Sequence, residues 1–161
     1  MIDVVLHSTD FSPESDQAFE YACSIARDQF ASMVVVHVLS PFCGVGNDAA
    51  SEIDLQMECA PAVQTCRERF EKLKAKAGEV PISFRMVVGY PVAMILKVAL
   101  EEAADLIVLA EHHRSHHVAQ RQMNVAEAVV RQSHCPVFNL RRASHTPSLS
   151  ASHGEHPVHP N

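Results

Sequence analysis

Apolar positions along this chain follow two alternating rhythms. Short unbroken runs occur at Ile2 to His7, Met33 to Leu39, Ile82 to Val88, Leu106 to Leu109 and Cys135 to Leu140. Runs of that length, rich in β-branched residues, predict strands covered on both faces. Between them the apolar residues space out to a helical period. Phe19, Ala22, Cys23, Ala26 and Phe30 form one stripe, and Val63, Cys66, Phe70, Leu73 and Ala77 a second. Val92, Ile95, Leu96, Ala99 and Ala103 form a third, and Ala126, Val129 and Val130 a short fourth. Ser12-Pro13 marks the first helix start: serine at the N-cap accepts an orphan N–H, and proline at the first helical position loses nothing. That helix runs to about residue 29. The second helix is expected over about residues 51–77, with Pro61 starting, kinking or breaking it. The last helix runs from about Asn124 to Gln132. Pro136 at the start of the final strand suits a sheet edge.

Strand and helix therefore alternate along the chain. That pattern predicts an α/β fold, a parallel sheet with helices on both faces and right-handed crossovers. Ligands in such folds bind beyond the carboxyl ends of the strands, where the strand order reverses. Periodicity alone does not give the strand order. It does single out Asp105 to Glu127, which reads as a buried strand, a polar loop and a helix start.

Composition narrows the class. A length of 161 residues gives one domain as the expectation. From Arg142 the chain turns to serine, histidine and proline, so 1–141 is expected to be the domain and 142–161 a disordered tail. The formal net charge of -6 argues against a general nucleic-acid or anionic-membrane binder, because counterion release needs a basic face. The five cysteines are odd in number and lack C-x-x-C spacing, which fits reduced core thiols of a cytoplasmic protein. No secretory signal is visible and no apolar run reaches membrane-spanning length.

The densest chemistry lies in His112-His113-Arg114-Ser115-His116-His117. His112 with His116, and His113 with His117, stand four residues apart, a spacing that on a helix chelates a metal such as zinc. A complete site needs a third ligand, and the sequence nominates none. Two other readings stay open: a plain polar loop, and a pH-sensitive anion site of protonated histidines with Arg114. Catalysis has little support. There is no G-x-S-x-G elbow, P-loop or H-E-x-x-H. Asp10 is placed to act as a base or, equally, to cap the loop after the first strand.

Several short segments, taken in order, carry a resemblance. They are Ser8-Thr9-Asp10-Phe11-Ser12, Gly89-Tyr90-Pro91 with Ile95-Leu96, Asp105-Leu106-Ile107-Val108, and Val125-Ala126-Glu127 through Val130 to Cys135-Pro136-Val137. Over residues 1–141 the chain resembles the universal stress protein (UspA) family. The resemblance implies an adenine nucleotide α-hydrolase-like fold: a five-stranded parallel sheet of order 3-2-1-4-5, with a crevice between strands 1 and 4. It also implies a homodimer in which the last strand, residues 136–141, pairs across a two-fold axis and removes an exposed edge.

Many members of that family hold ATP with a loop of the form G-x2-G-x9-G-[ST], whose glycines let backbone N–H groups approach the phosphates. The corresponding positions here are Ala110, His113, Met123 and Asn124, so all three glycines are replaced. A β-carbon at such positions resists φ > 0 and holds the ligand away. Asp10, His112 and Arg114 match family positions. The resemblance thus implies a regulatory or binding module of the stress response without tight ATP binding, with the question of an enzymatic activity left open. No cofactor is expected; ATP or AMP is disfavoured. A small-molecule ligand would lie in a crevice formed by Thr9, Asp10, Leu39, Ala110, Arg114, Asn124 and Val125. The alternatives are a nucleotide-binding protein with a modified phosphate loop, and a zinc-binding protein using His112, His113, His116 and His117.

Overall fold

The computed structural model describes residues 1–39, 60–111 and 124–141. Five strands, β1 (Val4–Ser8), β2 (Ser32–Leu39), β3 (Ile82–Val88), β4 (Leu106–Ala110) and β5 (Val137–Leu140), alternate with helices α1 (Pro13–Gln29), α2 (Ala60–Ala77), α3 (Pro91–Glu101) and α4 (Val125–Gln132). Every strand pairing is parallel, and the order is β3-β2-β1-β4-β5. This is the order 3-2-1-4-5 that the resemblance implies.

The apolar runs are continuous because the central strands are covered twice. Val5 and Leu6 in β1 are both 0% exposed and point to opposite faces. Val5 joins Ala18, Phe19 and Ala22 of α1 and Phe70 and Leu73 of α2. Leu6 joins Ile95 and Val98 of α3 and Ala126 and Val129 of α4. Each fully buried leucine or phenylalanine contributes about 2 kcal/mol relative to exposure. The core therefore has two halves with the sheet between them.

Local signals explain where the helices begin and end. Ser12 is extended (φ -76, ψ 162) and its Oγ accepts the Ser15 N–H at 3.2 Å, with Pro13 following as the first helical residue. α1 ends on Phe30, which is left-handed (φ 56) and fully solvated. α2 carries Pro61 in its first turn, where its missing N–H costs nothing; the expected stretch 51–59 lies outside the described residues. Gly89 turns the chain from β3 into α3 with φ 153, and a β-carbon there would sit 2.8 Å from Met94 Cγ.

Three expected inward positions are corrected: Phe30, expected on the first helical stripe, lies past the end of α1 in the left-handed cap and is 98% exposed. α3 stops at Glu101, and Ala103 lies beyond it, exposed and left-handed (φ 49). Its N–H instead meets the Leu100 carbonyl in the turn that leads to β4. On α4 it is Ala128, not Val130, that completes the buried arc with Ala126 and Val129; Val130 is 49% exposed. The helix is only eight residues long, and its buried face is set by α3 and the sheet rather than by its own few apolar positions.

β5 is an edge strand, as Pro136 suggests, and β3 is the other. Among the described residues no helix is long and apolar enough to cross a membrane. Cys23 is a buried free thiol, pushed up to about 11 by burial, and Cys135 is a half-buried free thiol; Cys66 is buried in α2. The expected tail, 142–161, lies outside the described residues.

Candidate functional site at the carboxyl ends of β1 and β4

Strand order reverses between β1 and β4: β1 pairs β2 on one side and β4 on the other. The crevice of this fold class opens above that point. Thr9 and Asp10 leave β1 there, Ala110 and Glu111 leave β4, and Asn124 starts α4.

Thr9 is 4% exposed and held from every side. Its N–H donates to the Val36 carbonyl at 2.9 Å, and its carbonyl accepts from His37 Nδ1 at 2.8 Å. Its Oγ1 accepts the Phe11 N–H at 2.9 Å and the Ser15 hydroxyl at 2.8 Å. Asp10 is exposed, and its Oδ1 accepts the Ser12 N–H at 2.9 Å, which is the loop-capping role. Between them the turn forces Phe11 into a left-handed conformation (φ 59). Phe11 tilts against His37, with ring centroids 4.7 Å apart, and the Arg69 guanidinium lies 5.5 Å from its centre. A groove of about 220 Å³ lined by Phe11, Asp16, Arg69 and Leu73 runs beside this stack, towards α2.

Beneath Thr9 lies His7, 0% exposed. Its Nδ1 is 3.1 Å from the Val108 carbonyl oxygen, which can only accept, so Nδ1 carries the proton. Nε2 faces Ser15 Oγ at 3.5 Å, and the ring meets Phe19 edge-on at 5.6 Å. Burial pushes the imidazole down to about 4; the Val108 carbonyl, Asp16 and Asp10 oppose this only partly. His7 is thus a neutral residue that ties β1 to β4 under the crevice floor. It sits inside an apolar run and its side chain alone gives no sign of this role in the sequence.

The β4 side is built around Glu111, 7% exposed. Its N–H donates to the Leu140 carbonyl at 2.9 Å, just past the last pair of the β4–β5 ladder. Asn124 Nδ2 donates to Glu111 Oε1 at 2.6 Å, and Arg141 Nε donates to Oε2 at 2.6 Å. Asn124 Oδ1 meanwhile accepts the Ala126 N–H at 3.1 Å and caps α4. The carboxylate in turn holds the Arg141 guanidinium in its charged form. One carboxylate therefore joins the end of β4, the start of α4 and the end of β5.

Of the expected crevice residues, Thr9, Asp10 and Ala110 come together at the ends of adjacent strands, and Asn124 reaches the same end of β4 through Glu111. Leu39 ends β2, buried, with its carbonyl accepting the Gly89 N–H at 3.0 Å; Val125 opens α4, 37% exposed. Arg114 and the four histidines, His112, His113, His116 and His117, lie outside the described residues. Among the described residues no group of three or more His, Cys, Asp or Glu side chains could hold a metal ion. Glu111 and Arg141 were not expected as site residues. The only signal was position: Glu111 directly follows a buried strand, and Arg141 ends the last one.

Comparison with known proteins agrees with this architecture. The chain is 29% identical over 138 residues to universal stress protein MJ0531 of Methanocaldococcus jannaschii, covering 83% of this chain and 79% of that relative. It is 28% identical to a universal stress protein whose crystal structure is a complex with cAMP, with a TM-score of 0.65 over 86% of this chain and 97% of that one. UspA from Lactobacillus plantarum, at 23% identity, shares the fold with a TM-score of 0.66 over 87% of this chain and 98% of its own. The family model described as the universal stress protein family matches residues 1–141, the whole sheet and its helices, and this chain belongs to that family.

Proposed function

We propose that this protein is a regulatory or binding module of the stress response, whose crevice holds a small adenine-type ligand loosely and lacks a tight grip on ATP. The observation that carries the reading is the double engagement of Asn124. Its Oδ1 takes the Ala126 N–H, one of the first-turn donors of α4, and its Nδ2 donates to Glu111. A helix N-terminus that binds phosphate does so with N–H groups left for the ligand. Ala110 adds a β-carbon at the end of β4 where the nucleotide-binding loop of this family has glycine, and His113 and Met123 replace the other two glycines in the sequence.

The cAMP complex of the 28%-identical relative supports an adenine-type ligand as the class to test. Among the described residues, Thr9 and Ser15 are buried, at 4% and 3% exposure, and Asp10 caps its own loop, so none of the three is offered as a catalytic group. No resident cofactor is part of the reading. We place the module in the cytoplasm as a homodimer. Among the described residues β5 has no strand on its outer side, and beside it Phe138 and Tyr21 are partly exposed, at 37% and 46%, with rings 5.7 Å apart. Pairing residues 136–141 with a second copy would cover both. The test is mass spectrometry of small molecules released from protein purified without added nucleotide, followed by titration with cAMP and ATP. Weak, comparable binding of the two supports the reading; stoichiometric ATP carried through purification overturns it.

A further inference from the structure

Phe11 is left-handed at φ 59, a conformation that a bulky side chain adopts only when its surroundings impose it. Two bonds impose it: the Phe11 N–H donates to Thr9 Oγ1 at 2.9 Å, and the Ser12 N–H donates to Asp10 Oδ1 at 2.9 Å. The turn thereby sets the ring against His37, with centroids 4.7 Å apart, and against the Arg69 guanidinium, 5.5 Å from the ring centre. Arg69 and Leu73 stand one turn apart on α2, and Asp16 stands in the first turn of α1. With Phe11 these three line the groove of about 220 Å³ on the α1–α2 face of the sheet. Its two charged groups differ in their partners. Asp16 Oδ2 accepts from Lys76 Nζ at 3.3 Å, so the Lys76 charge offsets the carboxylate. Among the described residues no carboxylate pairs with the exposed Arg69 guanidinium, whose contact is the Phe11 ring. The groove thus joins one unpaired positive charge to an aromatic and aliphatic wall of Phe11 and Leu73.

We propose that this groove is a second ligand site, apart from the crevice, for a small organic monocarboxylate with an apolar body. The carboxylate meets Arg69, whose planar fork matches it with two parallel N–H bonds. The body lies against the Phe11 ring and Leu73, where apolar surface leaves water. Charge favours a single negative one: Lys76 balances Asp16, and the Arg69 charge is left for the ligand. A dianion such as a phosphomonoester would bring excess negative charge beside Asp16. The volume sets the size, since pockets for drug-sized ligands run to roughly 300–1,000 Å³ and this groove is smaller. The proposal does not rest on the reading of the crevice as a loose adenine-type site.

The test is an NMR titration of the isotopically labelled full chain, followed through its backbone amides. The probes are phenylacetate, its uncharged counterpart phenylacetamide, acetate and inorganic phosphate. Phenylacetate is expected to give saturable shifts centred on Phe11, Arg69 and Leu73, with a dissociation constant of about 1 mM. Phenylacetamide, which lacks the charge, and acetate, which lacks the body, are expected to bind at least about fivefold more weakly. Arg69→Gln, at an exposed position, is expected to weaken phenylacetate by at least about fivefold and to leave phenylacetamide unchanged. Phe11→Asn, which suits the left-handed turn and removes the ring, is the second variant and is expected to weaken phenylacetate as well. The amide spectrum shows at the same time that each variant is folded. Absence of saturable shifts, or shifts centred instead on Ala110 and Asn124, overturns the proposal. So does binding of acetate or phosphate as tight as that of phenylacetate, or a folded Arg69→Gln chain with unchanged affinity. ATP titration judges the crevice separately, so either reading can fail without the other.

Discussion

His7 Nδ1 and the carbonyl oxygen of Val108 meet at 3.1 Å between adjacent strands, under the floor of the crevice. The bond joins β1 to β4 at the point where strand order reverses, and burial, which outweighs this bond's preference for the charged ring, keeps Nε2 unprotonated. That gives a pH dependence with a definite sign. The unfolded chain binds a proton at the ordinary histidine value of 6.5, and the folded one only near 4. The fold thus keeps the full contribution of this residue above pH 6.5 and loses it as pH falls to 4, by up to about 3 kcal/mol. Urea unfolding from pH 7 to 4 should show this loss, and His7→Leu should flatten that part of the profile. An NMR titration placing the His7 ring near its ordinary value would contradict the account.

Asn124 has two jobs, so its loss should be felt twice. Asn124→Ala removes the α4 cap and one of the donors on Glu111. A lost N-cap costs about 1 kcal/mol, and the weakened hold on a nearly buried carboxylate adds to it. A fall of about 1–2 kcal/mol in unfolding free energy is expected from denaturant curves. Asn124→Ser, which can still cap, should recover part of it.

Phe30 closes α1 in a left-handed conformation while 98% exposed. Glycine takes that conformation without a β-carbon clash, and little apolar burial is lost with the ring. Phe30→Gly should therefore stabilise the protein by about 1 kcal/mol, read as a higher urea midpoint with unchanged slope.

If β5 pairs with its copy, Phe138 carries part of the contact. Phe138→Asp places a charge beside its own mate across the two-fold axis. Light scattering after size exclusion should show the parent as a dimer and the variant as a folded monomer. A monomeric parent at the same concentration would remove the dimer from the account.

The sheet could be read from the sequence because β1, β2 and β4 are covered on both faces, which forces unbroken apolar runs such as Val34-Val35-Val36. Ser12-Pro13 was equally legible, since capping acts between near neighbours. The crevice was legible only as a place. What fills its β4 side depends on contacts between distant positions: Glu111 meets Arg141 across 30 residues of sequence, and no local pattern pairs them. His7 was hidden for the opposite reason. A histidine inside an apolar run shows no role of its own until Val108 and Ser15 are seen to enclose it. Ala103 misled because periodicity extends a helix past the point where it ends, and Val130 because α3 and the sheet, not the spacing of a few apolar residues, choose the buried face of α4.

The central claim is that the crevice does not grip ATP, and isothermal calorimetry with ATP and Mg²⁺ at high protein concentration tests it most directly. The account predicts no saturable heat, or binding no tighter than millimolar. A micromolar dissociation constant with one site per chain would contradict it.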